Sequence, residues 1–173
     1  MKKFITFLLL TFILSTTIFL GCNNKLNDEL IKLPNKIFVY YDMTPIEVSK
    51  DNKAFKELVE LTNKRIDEEK ISTIQDVVTE QYVDSLKKEN LAIEFLYEEE
   101  HEMTLKDSTL TPIKYNKLFF PLILNDESNY NESSIENCFQ YGTSTNGYTD
   151  SSRGPLNNSE ELIKLIMDNI ITE

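Results

Sequence analysis

The lone histidine of the chain, His101, stands in "YEEEHEMT", among Glu98, Glu99, Glu100 and Glu102. Carboxylates beside an imidazole can hold a divalent cation. The spacing is not that of a zinc helix, because Leu105 occupies the place where H-E-x-x-H needs its second histidine. Neighbours on a strand alternate between faces and cannot all converge on one ion. The run therefore reads as the solvated end of a hairpin, and no metal is assigned. "YGTSTNGYTDSSRGPLNN" (141–158) is richer, with three of the four glycines of the chain: Gly142, Gly147 and Gly154. In a glycine-poor sequence this predicts a long surface loop with unusual backbone angles. Tyr141, Tyr148, Asp150 and Arg153 in that stretch are the candidate binding residues, since aromatic rings and guanidinium groups are frequent anchors of recognition. On this reading Tyr148 and Arg153 are expected at the surface. The competing reading is a plain connector from a sheet edge to a helix.

Catalytic chemistry is poorly supplied. No G-x-S-x-G, C-x-x-C or P-loop occurs. Any Ser–His or Cys–His arrangement would have to recruit His101. Cys138, in "NCFQYG", reads as a small buried hydrophobe without a disulfide partner. No catalytic residue and no cofactor is assigned, and a non-enzymatic role is expected.

The elements that must position these residues come from the periodicity. "KIFVYYD" (36–42) is β-branched and aromatic on both faces, as in a covered strand, and Thr44-Pro45 is expected to end it. Asp51 can cap a helix with Phe55, Leu58, Val59, Thr62 and Ile66 inward. A second helix is expected over 73–89, with Ile74, Val77, Val78, Tyr82 and Leu86 inward and a break at Thr79, a good N-cap. "NLAIEFLYEE" alternates, with Leu91, Ile93, Phe95 and Tyr97 inward and Glu94 and Glu98 toward solvent. "KYNKLFFPLIL" (114–124) and "ENCFQYG" (136–142) are two more strands, with Pro121 confined to an edge, bulge or strand end. "NDESNYNESS" (125–134) is a polar connection. A last helix carries Leu162, Ile163, Leu165, Ile166 and Ile170, with Asn158 and Glu161 at capping-box spacing. The order β-α-α-β-β-β-α predicts one α+β domain over 36–173: about three helices on a mainly antiparallel sheet of about four strands.

The 173 residues carry a formal charge of −11. Loss of residues 1–21 removes Lys2 and Lys3 and no acid, leaving −13. Such a domain is repelled by phosphate backbones, which argues against nucleic acid as a partner. Lys2 and Lys3 precede an uncharged, mostly apolar run from Phe4 to Leu20, short for a membrane span and suited to a signal peptide. The run ends in Phe19-Leu20-Gly21-Cys22, which resembles the lipobox of bacterial lipoproteins, with Phe19 where that family usually has leucine. The resemblance implies cleavage after Gly21 and a diacylglyceryl group on the Cys22 thiol. Two acyl chains anchor stably where one does not.

Residues 1–21 are then a signal peptide and 22–35 a tether, with Leu26, Leu30 and Leu33 on one helical face before Pro34. The whole pattern is similar to small, uncharacterised lipoproteins of clostridia and their relatives, a likeness that carries no functional residues. The expected protein is a lipid-anchored, extracytoplasmic binding or interaction module. Its expected partners are the membrane, through Cys22, and another envelope protein. The alternatives are a cell-envelope hydrolase and a small-molecule or ion sensor accessory.

Overall fold

A computed structural model describes residues 29–74, 79–107, 109–122 and 137–172. Cys22, Leu26, Val77, Val78 and the 125–134 connection lie outside them. The fold is α+β, as the alternation of strand and helix patterns predicts. Among the described residues the sheet has seven strands, in the order β2-β1-β4-β5-β6-β7-β3, and every pairing is antiparallel. That replaces the expected sheet of about four.

Three strands account for the difference. β1 (Lys36–Tyr41) does not end at Thr44-Pro45 but turns into β2 (Thr44–Val48). The turn residues Asp42 and Met43 adopt φ of 48° and 63°, the doubly left-handed geometry of a two-residue hairpin. Neither is the Asn-Gly pair that usually announces it. β3 (Ser72–Ile74) occupies the start of the expected second helix and pairs with β7 at the sheet edge. β7 (Gly147–Gly154) lies where a loop was expected, and it forms a hairpin with β6 (Phe139–Thr143).

α1 (Ala54–Lys64) begins where the Asn52 side chain, rather than that of Asp51, accepts the Ala54 N–H at 2.8 Å. α2 (Glu80–Glu89) is capped as expected by Thr79, whose hydroxyl accepts the Tyr82 N–H at 3.2 Å. α3 (Glu160–Ile166) continues into a π-helical turn over Met167–Ile171. At its start the Asn158 side chain accepts the Glu160 N–H at 2.6 Å.

The sheet is covered on both faces. Ile37, Val39, Ile93, Phe95, Leu118, Phe120, Phe139 and Tyr141 form the principal core with Phe55, Leu58 and Val59 of α1 and Leu162 and Ile166 of α3. On the other face Val83 and Leu86 of α2 pack on Ala92, Phe119 and Tyr148. Burying a side chain of this size contributes roughly 1.5–3 kcal/mol, so α2 adds a second, smaller core. The stretch expected to be a tether belongs to the fold from Ile31, the fifth residue before β1. Ile31 is fully buried, its N–H donates to the Asn63 side chain at 2.9 Å, and its carbonyl accepts from the same side chain at 3.2 Å. Leu33 is exposed.

Candidate functional site

β4 (Leu91–Met103) and β5 (Ile113–Leu122) form the sheet centre. Glu94 lies on the face covered by α2, and only 6% of its side chain is exposed. It does not meet solvent as the strand alternation suggested. The Glu94 carboxylate accepts the Tyr40 hydroxyl at 2.6 Å, the Tyr148 hydroxyl, and the Lys87 ammonium at 2.8 Å. Lys87 also stands 5.0 Å from the Tyr40 ring centroid and 5.7 Å from those of Phe119 and Tyr148. Burial raises the Tyr40 and Tyr148 phenols above their ordinary value, and the Glu94 charge and hydrogen bonds raise them further. Both phenols therefore stay protonated as donors.

Beside this cluster Lys117 lies 4.2 Å over the Tyr148 ring and pairs with Glu80 at 3.1 Å. Glu80 also accepts the Tyr148 N–H at 2.9 Å. Burial alone would raise the Glu80 carboxyl, but the Tyr148 N–H and Lys117 hold it below its ordinary value. The arrangement is closed: each donor has its acceptor, and the chemistry it performs is to fasten α2 and the β6–β7 hairpin to the sheet. Tyr148 is thus a buried anchor, not the surface contact residue expected from sequence.

The opposite condition holds in the neighbouring rungs of β6 and β7. Gln140 pairs with Ser152 and Phe139 with Arg153. Gln140 and Ser152 are fully buried, and neither the Gln140 amide nor the Ser152 hydroxyl has a partner among the described residues. Arg153 is only 4% exposed, and its Nε and Nη1 are likewise without acceptors. Its guanidinium carbon lies 5.3 Å from the Tyr141 ring centroid, and the Tyr141 and Ser151 hydroxyls are hydrogen bonded at 3.1 Å.

Arg65, the other arginine, shows what satisfaction looks like. It is 3% exposed, and its Nε and Nη1 donate to the carbonyls of Asn157 (3.2 Å) and Pro121 (3.3 Å). Unsatisfied buried polar groups are few in native proteins and call for a specific explanation. The concentration of Gln140, Ser152 and Arg153 in two adjacent rungs, Arg153 on the face opposite to the other two, marks this part of the sheet as the candidate site.

Of the residues singled out from sequence, Tyr141 and Arg153 meet on the principal-core face, while Tyr148 lies on the α2 face. Asp150 is within β7. Gln140, Ser151 and Ser152 were missed, because nothing in their spacing says that a strand pair buries them. Ser85 and Lys88 on α2 have Ser-x-x-Lys spacing, also passed over. Ser85 donates to the Tyr82 carbonyl at 2.8 Å, and Lys88 is exposed.

His101 packs edge-on against Tyr97 and tilted against Tyr115, at centroid distances of 5.0 and 5.8 Å. Glu98, Glu99 and Glu100 occupy a bulge of β4 between Leu96 and His101 and are exposed. Among the described residues no group of acids, His101 or Cys138 is arranged to hold a metal ion. Cys138 is buried, and a Cβ on Gly154 would stand 2.6 Å from its sulfur, so the strand end needs glycine there. The sequence matches no family model, no curated protein and no solved structure.

Proposed function

We infer that this protein is a lipid-anchored binding module on the extracytoplasmic face of a membrane, held there through Cys22. The observation that carries the address is the uncharged run from Phe4 to Leu20 ending at Gly21-Cys22 after two lysines. The binding role is supported by the β6–β7 rungs, where buried donors of a glycine-shaped hairpin are left without acceptors. Membrane fractionation and mass spectrometry of Cys22→Ser test the address. The variant is expected to accumulate as an uncut precursor without the diacylglyceryl mass. Processing and release as efficient as in the unaltered chain would defeat the anchor.

A further inference from the structure

We propose that the cleft between α1 and α3 binds a free aliphatic α-amino acid. Leu61, Lys64, Asn158, Glu160, Glu161 and Leu162 line a half-open cavity of about 250 Å³ there. Its walls are held in place. The Asn157 N–H donates to the Arg65 carbonyl at 2.7 Å, and the Asn157 side-chain amide donates to the Lys64 carbonyl at 3.2 Å. Leu162 is buried and Leu61 half-buried, so the floor is apolar. Above it the two helices bring opposite charges, Lys64 from α1 and Glu160 and Glu161 from α3. Among the described residues none of these three takes part in an ion pair. Lys64 lines the cavity instead of pairing with Glu60 one turn earlier, the usual helical partner, whereas Lys164 does pair with Asp168 at that spacing.

Size and charge define the occupant. Drug-sized ligands need about 300–1,000 Å³, so this cavity suits a smaller molecule. A plain anion would gain Lys64 but meet two carboxylates, and a plain cation would meet Lys64. A molecule with both charges gains from both walls, its carboxylate toward Lys64 and its ammonium toward Glu160 and Glu161. The Asn158 oxygen already accepts the Glu160 N–H, which leaves its N–H groups to donate to the same carboxylate. Leu61 and Leu162 accept an aliphatic side chain. The charge of the chain, −11 overall, repels anions that carry no ammonium group. The assignment rests on the binding-module reading and gives it a ligand class, yet the two fail separately. Loss of Cys22 processing leaves a titration of the cleft intact, and a flat titration leaves the anchor intact.

The test titrates the ¹⁵N-labelled full chain, in neutral detergent, with L-leucine. Isoamylamine and isocaproate serve as the same molecule without its carboxylate and without its ammonium, and glycine as the one without the side chain. The four polar side chains of the rim are exposed, so each contact is screened and Kd is expected at about 1 mM. Backbone amides of Leu61, Lys64 and Glu160–Leu162 are expected to shift together and saturably, while those of β4 and β5 stay. Isoamylamine, isocaproate and glycine are each expected to bind about tenfold more weakly. Lys64→Gln is expected to weaken leucine about tenfold while isoamylamine binds no more weakly than before. An unchanged urea midpoint for this exposed substitution separates lost binding from lost folding. The absence of a saturable shift at these amides, or leucine bound by Lys64→Gln as tightly as by the unaltered chain, overturns the proposal. Isoamylamine or isocaproate matching leucine would overturn the doubly charged ligand, and glycine matching it would overturn the aliphatic one.

Discussion

Glu94 illustrates how one side chain can be misread by its own strand. The alternation Leu91, Ile93, Phe95 assigns Glu94 to the outer face, and a lone glutamate there is ordinarily solvated. What reverses its environment is α2, a separate segment whose Val83 and Leu86 close that face. Tyr40, Lys87 and Tyr148 come from three different elements to satisfy it, and no local pattern links them. The sequence did indicate Tyr148 and Arg153 as residues of interest, but assigned both to the surface. Removing one partner of a buried pair leaves the other charge stranded. Lys87→Met is therefore expected to lower the unfolding free energy by about 3 kcal/mol, read from urea denaturation. A loss under about 1 kcal/mol, the size of an exposed pair, would show that Glu94 is solvated after all.

Elements with strong periodicity were legible: α1, α3, β4 and β6 lie within a few residues of their expected positions. Elements defined by unusual backbone angles or close approach were not. The glycines of 141–158 look like signs of a loop, yet a Cβ on Gly142 would stand 2.1 Å from the Gly147 carbonyl oxygen. That glycine permits tight strand pairing. β3, three residues long, is too short to show any period. The segment before β1 was misassigned because Pro34 and the asparagines look like linker, while the Asn63 side chain that receives Ile31 lies on a distant helix. Ile31→Ala removes a fully buried side chain and is expected to cost about 2–4 kcal/mol. Thermal and urea unfolding of the full chain would measure it, and a change within 0.5 kcal/mol, the range of surface substitutions, would return residues 29–35 to a tether.

For the whole molecule, acidity sets both the working range and the relation to a surface. Glu80, Asp67 and Asp107 have carboxyls held below their ordinary values of 4.5, 3.8 and 3.8. For Glu80 burial opposes this, and the Tyr148 N–H and Lys117 prevail. For Asp67 the Glu69 N–H is the main cause, and for Asp107 the Thr109 hydroxyl and N–H. A carboxyl with a lowered folded-state pKa adds stability above its ordinary value, and that stability is lost as protons bind on acidification. Tm is therefore expected to hold from pH 7 to about 5 and to fall below about 4.5. Glu80→Gln is expected to make that fall shallower, and an identical slope in scanning calorimetry would remove Glu80 from the account.

The docking of Ile31 sets a further length scale. If Cys22 is embedded in a bilayer, nine residue steps separate it from the first pinned side chain. Fully extended, they reach about 30 Å. The domain would then work on a short leash, with lateral diffusion in the membrane plane governing which partners it meets. A partner free in solution would meet the domain from any side, whereas one fixed deep in an outer polymer layer would lie beyond its radius.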